Sequence, residues 1–247
     1  MDDAQRTTGV SYGKVYLVGA GPGAADLITV RGARILARAE VVLHDALVTP
    51  EMLDLCPQAL KISVGKRSGM LSTAQTFIDT LLVENAAKYR IVVRLKGGDP
   101  MLFGRADEEL HALETHGIEV EVVPGITAAL AGAAAVRQPL TKRGIARSVG
   151  FFTSSTAPNQ PDQLTLPNCD TLIQYMGGRE AVTTARKLLA LGRSPQSPVV
   201  VIENCSRKDQ RVMRLQLGEL ENGLAGCHGP VLVMIGEALA LRDTQLP

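Results

Sequence analysis

The sequence predicts an α/β protein of two domains, with a mostly parallel sheet in the N-terminal half and a mixed sheet in the C-terminal half. Three observations predict it. From Lys14 to Val123, apolar β-branched runs alternate with helical patterns, the βα repeat of a parallel sheet covered by helices. An alanine-rich stretch, Gly125 to Val136, interrupts this rhythm before strand signals resume at Ser148. In the second half, Arg211 to Leu217 alternates polar and apolar residues, as an edge or antiparallel strand does. A length of 247 residues allows one large or two modest domains. The boundaries expected are 13–124 for an N-terminal α/β domain, 125–147 for a connecting helix and loop, and 148–243 for a C-terminal α/β domain.

Composition narrows the function classes. Apolar residues make up 45% of the chain, enough for a sizeable core. A net charge of +1 offers no strong field toward nucleic acid or an anionic membrane. Aromatics are only 3%, too few for a stacking platform for single strands. No window is long and apolar enough to span a bilayer. Met1 to Gly13 is polar, lacks the apolar core of a secretory leader and reads as a loose arm. The four cysteines, Cys56, Cys169, Cys205 and Cys227, are widely spaced, which fits reduced thiols in the cytoplasm. His111 and His116 lie off the spacing that a helical metal site needs, and no metal is expected.

In chain order, Lys14 to Val18 is a strand running into Gly19-Ala20-Gly21-Pro22-Gly23. The glycine spacing departs from a dinucleotide fingerprint, although Asp45, after the strand ending at His44, stands where a ribose-binding acid would. A nicotinamide site therefore stands only as a candidate. Asp26 to Ala39 reads as a helix of period near 3.6. Lys61 to Val64 is a third strand, followed by Gly65-Lys66-Arg67-Ser68-Gly69, whose two cations suit a carboxylate-rich ligand or simply face solvent. Ser72 to Lys88 reads as a helix that Ser72 can cap.

Val92 to Lys96 is the next strand, breaking into Gly97-Gly98-Asp99-Pro100. Adjacent glycines let a backbone turn tightly and approach a ligand. A strand, a glycine turn and an acid before a helix is how an open α/β sheet builds a crevice at its strand ends. Asp99 either binds a ligand there or merely caps the next helix. A helix from Ala106 to Thr115, ending at Gly117, leads to a fifth strand, Ile118 to Val123. In the second half, strands are expected at Ser148–Thr153, Thr171–Tyr175, Pro198–Ile202 and Val231–Ile235. A polar loop is expected over Ser154–Pro167 and a helix over Arg179–Leu191.

Seven blocks then come together in order. They are Val18-Gly19-Ala20-Gly21-Pro22-Gly23, Val64-Gly65-Lys66-Arg67, Arg94-Leu95-Lys96-Gly97-Gly98-Asp99-Pro100, Phe103-Gly104-Arg105, Val123-Pro124-Gly125-Ile126-Thr127, Pro139-Leu140-Thr141 and Tyr175-Met176-Gly177. Their order and spacing resemble the tetrapyrrole methylases over nearly the whole chain, about Gly13 to Arg242. The resemblance implies two α/β domains with S-adenosyl-L-methionine in a cleft between them. It implies C-methylation of uroporphyrinogen III at C2 and C7 to give precorrin-2, with S-adenosyl-L-homocysteine as the other product. Carried over block by block, the cofactor contacts are Pro22, Gly97, Gly98, Asp99, Leu102, Thr127, Ala128, Met176 and Cys205. Asp45 takes the place of the proton acceptor and Lys66 that of the proton donor. Arg67, Arg105, Lys142 and Arg143 are candidates to meet the carboxylates of the tetrapyrrole. A homodimer in the cytoplasm is implied as well.

Departures from the family pattern gather on the substrate side. Ala46 replaces the usual Arg and His44 the usual Tyr. Met70-Leu71 stands where a His is common, Lys142-Arg143-Gly144 replaces His-Arg-Asp, and Cys205 replaces Gly. Two alternatives to uroporphyrinogen III therefore stay open, a different precorrin as substrate and a cofactor-binding homologue without catalysis.

Overall fold

A computed structural model describes residues 11–65, 71–154 and 165–242, without the side chains of 71–74. The chain divides into two compact units, 1–126 and 127–247. In the first, β1 (Lys14–Gly19), β2 (Val41–His44), β3 (Leu60–Ser63), β4 (Ile91–Lys96) and β5 (Val120–Val123) form one sheet in the order β3-β2-β4-β1-β5. Every pairing is parallel. The connections are α1 (Val30–Leu36), α2 (Pro50–Leu53), α3 (Leu71–Ala86) and α4 (Ala106–Thr115).

Strand β4 shows why its sequence is apolar throughout yet carries two cations. Val93 and Leu95 point into the core shared with Ile35 and Leu36 of α1, whereas Val92 joins the opposite core, with Ile78 and Leu82 of α3 and Leu113 of α4. Both faces are covered, so the strand has no solvent side. Arg94 and Lys96, in phase with Val92, are only 3% and 2% exposed.

The strand order also locates the crevice. From β1 the chain crosses to β2 and β3 on one side, and from β4 it crosses to β5 on the other. Right-handed connections running in opposite directions place helices on opposite faces, as the two cores confirm. The reversal falls between the neighbouring strands β1 and β4, which is where an open α/β sheet takes its ligand.

In the second unit, α5 (Ala128–Ala135) precedes β6 (Val149–Thr153), β7 (Thr171–Tyr175), α6 (Gly177–Ala190), β8 (Pro198–Glu203), β9 (Arg211–Gln216), α7 (Leu217–Leu220) and β10 (Val231–Ile235). The sheet order is β6-β7-β10-β8-β9. Only β6 and β7 pair in parallel; β10 runs antiparallel to both β7 and β8, and β9 lies antiparallel on the edge. The expected alternation of Arg211–Leu217 is thus an edge strand.

Several expectations shift. The helix expected from Asp26 starts at Val30, where the Thr29 hydroxyl accepts the Gly32 N–H at 3.1 Å; Ala25–Leu27 is a separate 3₁₀ turn. The helix expected from Ser72 to Lys88 is α3, Leu71–Ala86, and the capping expected of Ser72 lies outside the described side chains. The stretch expected to connect the halves belongs to the second unit, because α5 packs with Ile202, Leu232 and Met234. Its small residues are what permit that approach: a Cβ on Gly132 would stand 2.9 Å from Ile202 Cδ1 and 3.1 Å from Leu232 Cδ2.

Candidate active site

At the crevice of the first unit, three strand-end loops meet backbone to backbone. Gly21 and Gly98 exchange hydrogen bonds, Gly21 N–H to Gly98 O at 3.1 Å and Gly98 N–H to Gly21 O at 2.7 Å. A Cβ on Gly125 would lie 2.3 Å from Gly98 O and 2.8 Å from Gly19 Cα, and Gly98 itself has φ +69°. A side chain has no room at Gly19 or Gly125, whereas at Gly21 and Gly98 the positive φ is what favours glycine. A Cβ added to Gly98 would meet nothing within 4 Å, so open space lies beside the turn. Open space walled by glycine backbone suits the close approach of a nucleoside cofactor. It does not fit a dinucleotide bound at a helix N-terminus, because α1 begins seven residues past Gly23.

Asp99 stitches the cradle together. One carboxylate oxygen accepts Met101 N–H at 2.8 Å and the other accepts Gly125 N–H at 2.9 Å. Its capping partner is therefore its own turn, and α4 is entered through Arg105 in the left-handed region, φ 54°. Arg105 makes a two-point pair with Glu108, at 2.7 and 2.6 Å.

Asp45 stands at the end of β2, beside β4. Its Oδ1 accepts from Arg94 Nη2 at 2.5 Å and its Oδ2 from Gly97 N–H at 3.3 Å. The side chain is 31% exposed, so a carboxylate held at two points remains in reach of solvent. Behind it lies a buried charge chain that sequence reasoning missed. Glu109 on α4 accepts from Arg94 Nε at 2.8 Å and from Lys96 Nζ at 2.7 Å. Burial alone would lower the Arg94 pKa, but the charges of Asp45 and Glu109 outweigh it and raise it. For Lys96, burial and then the neighbouring Arg94 charge prevail and lower the pKa. The sequence did carry a signal: two cations at i and i+2 of a strand buried on both faces demand an acid, and Asp107-Glu108-Glu109 follows on the next helix.

In the second unit, β7 and β8 end at the same edge, since both run antiparallel to β10. There the Thr127 hydroxyl and Tyr175 hydroxyl are 2.5 Å apart, and Ala129 N–H donates to the Tyr175 oxygen at 3.2 Å. Met176 follows in the left-handed region, φ 56°, and is 51% exposed. The Cys205 thiol lies 3.7 Å from Ala128 O. The structure thus gathers Thr127, Ala128, Met176 and Cys205 at one edge. Glycine is not required at 205, because the left-handed positions are Asn204 and Ser206 on either side. Lys142 and Arg143 are exposed on a tight loop closed by reciprocal Lys142–Ala146 hydrogen bonds. Lys66 and Arg67 lie outside the described residues.

Burial pushes the Cys205 thiol up to about 11. At pH 8 only about one thiol in a thousand is then the reactive thiolate. Iodoacetamide should leave Cys205 unmodified in the folded protein while it labels the half-buried Cys169 and Cys227. Peptide mapping checks this, and early alkylation of Cys205 would contradict its buried placement.

The family model for Tetrapyrrole (Corrin/Porphyrin) Methylases matches residues 14–221. A protein of Pseudomonas aeruginosa, uroporphyrinogen-III C-methyltransferase, is 45% identical over 91% of this chain and 94% of its own length. A siroheme synthase of Tolumonas auensis is 44% identical over 99% of this chain, which spans only 53% of that longer protein. A crystal structure of uroporphyrin-III C-methyl transferase from Thermus thermophilus, complexed with S-adenyl homocysteine, superposes with TM-score 0.79 at 38% identity, covering 92% of this chain and 93% of that one. The two sheets, the glycine-built strand ends and the ordered motifs agree with these matches, and the chain belongs to the tetrapyrrole methylases.

Proposed function

We propose that this chain is an S-adenosyl-L-methionine-dependent C-methyltransferase that converts uroporphyrinogen III to precorrin-2 by methylation at C2 and C7, a step toward sirohaem and cobalamin. The observation that carries the reading is the match to the Pseudomonas aeruginosa enzyme over nearly the full length of both proteins. The Thermus thermophilus structure with S-adenyl homocysteine supports the cofactor. The cofactor supplies a methyl group already activated on a sulfonium sulfur. Pro22, Gly97, Gly98, Asp99, Leu102, Thr127, Ala128, Met176 and Cys205 are the residues assigned to hold it.

The protein's share of the work is alignment, exclusion of water and movement of one proton. An electron-rich pyrrole carbon attacks the methyl group, and the macrocycle must then lose a proton. Asp45, held by Arg94 and the Gly97 N–H, presents a carboxylate oxygen to accept it. Lys66 is assigned the donor role, and Arg67, Arg105, Lys142 and Arg143 the carboxylates of the substrate. Arg105 contributes only by exchanging or sharing its Glu108 partner.

Two further features belong to this reading. A homodimer in the cytoplasm is proposed, the location supported by four free cysteines. Among the described residues no helix is long and apolar enough to cross a membrane. A second reading, methylation of a different precorrin, is favoured by Ala46, an exposed residue packed directly against Gly65 in place of the family's long cation. The test is anaerobic incubation of uroporphyrinogen III with methyl-labelled S-adenosyl-L-methionine. Label in the tetrapyrrole supports the first reading, and cofactor binding without transfer moves the weight to another precorrin or to a non-catalytic homologue.

A further inference from the structure

The interior of the first unit holds more charge than its fold requires. Lys96 is 2% exposed and Glu109 0%, with Arg94 at 3%. Buried ion pairs of this kind are often no more stabilising than an apolar core of the same volume. What the group does accomplish is connection. Glu109 uses its two carboxylate oxygens on two different cations, Arg94 and Lys96, so the two side chains are fixed relative to each other.

Each cation then reaches a separate part of the crevice. Arg94 holds the Asp45 carboxylate through Nη2 and also donates from Nη1 to Leu95 O at 3.2 Å. The same Leu95 carbonyl accepts the Asp45 backbone N–H at 3.2 Å, so Arg94 and the Asp45 backbone share one acceptor. Lys96 runs beneath the turn after Gly98: a Cβ on Gly104 would stand 3.1 Å from Lys96 Cε. One buried carboxylate therefore holds both cations, and through Arg94 it reaches the proposed proton acceptor.

We propose that Glu109 is a positioning residue for methyl transfer, acting through Arg94 on Asp45. It touches neither substrate nor cofactor. The inference rests on the assignment of Asp45 as proton acceptor, and the experiment separates the two.

The test is a double-mutant cycle on the full chain with Asp45→Asn, Glu109→Gln and both together, measuring kcat, KM for uroporphyrinogen III and Kd for S-adenosyl-L-homocysteine. Glu109→Gln should lower kcat about ten- to a hundredfold, the scale set by misplacing a reacting group. KM and Kd should stay within about threefold, a split that general loss of structure would not give. Residues acting through one another are non-additive, so adding Glu109→Gln to Asp45→Asn should cost less than about twofold more. Native kcat in Glu109→Gln, or a full multiplicative loss in the double variant while Asp45→Asn is itself impaired, overturns the role of Glu109. Native turnover by Asp45→Asn overturns instead the assignment of Asp45, and with it the route proposed for Glu109. Should Glu109→Gln fail to fold with two cations left over, Lys96→Met with Glu109→Met removes one charge of each sign. The same cycle in that background is expected to show the same loss of kcat and the same non-additivity, and native kcat there overturns the proposal.

Discussion

Replacing Asp45 by Asn should lower methyl transfer by about 10²- to 10⁴-fold, the range general-base catalysis supplies, while S-adenosyl-L-homocysteine binds nearly as before. The two effects separate because of where Asp45 sits. Its oxygens reach Arg94 and the Gly97 N–H from the end of β2, and it is 31% exposed. Asn keeps the shape and one acceptor oxygen, so the Gly97 turn keeps its support. What it loses is the negative charge and the capacity to take a proton. Removing one partner of a fully buried ion pair costs about 3–5 kcal/mol, but water at the mouth softens that figure for Asp45. Arg94 also retains Glu109. Single-turnover kinetics beside equilibrium binding measure both sides of the prediction. Native single-turnover rates in Asp45→Asn would show that the proton leaves by another route.

The second large effect belongs to Asp99→Ala. Two backbone N–H groups, from Met101 and Gly125, lose their acceptor at once. Hydrogen bonds to a charged group are worth about 1.5–3 kcal/mol each, and because the Met101 bond is exposed to water the loss in stability should lie near the low end for the pair, about 3 kcal/mol. The damage is concentrated in the cradle. The Gly125 loop packs directly on Gly98 and Gly19, and the Asp99 carboxylate ties its N–H to the Gly98 turn. Affinity for S-adenosyl-L-homocysteine should therefore fall at least about tenfold, which is 1.4 kcal/mol and well within the interactions lost. Calorimetric titration at a temperature well below the melting point measures it. Native affinity in Asp99→Ala would place the cofactor elsewhere than on this turn.

Most of the architecture was legible in the sequence, and the misses have physical causes. The helix Ala106–Thr115 and the strands Thr171–Tyr175 and Val231–Ile235 fall where hydrophobic pattern and turn residues put them. The start of α1 was misplaced because Asp26 and Leu27 fit a helical period, whereas Thr29 is the residue whose hydroxyl accepts an N–H of the first turn. The short helix Pro50–Leu53 went unread although Thr49-Pro50 is a helix-start signal. Helix α5 was read correctly as close-packed but assigned to a connector, since composition shows that a helix can approach a sheet and not which sheet.

The site was legible in part. The Gly-Gly-Asp turn announced itself as the strand-end crevice, and the structure sets it at the reversal of strand order. Its acid, however, spends both oxygens on backbone donors, a use that spacing alone does not reveal. Arg94 and Lys96 were visible only as letters of a motif. Their burial, and the single carboxylate that holds them both, emerge once β4 is covered on two faces. Sequence periodicity describes one element at a time, and this network joins a strand, the strand beside it and a helix packed across them.

The most direct measurement is the anaerobic reaction of this protein with uroporphyrinogen III and S-adenosyl-L-methionine, with the product analysed by mass and by carbon NMR using a labelled methyl group. The expected product is a tetrapyrrole that has gained two methyl groups, at C2 and C7, together with S-adenosyl-L-homocysteine. A protein that binds S-adenosyl-L-homocysteine but leaves uroporphyrinogen III unmethylated would contradict that expectation.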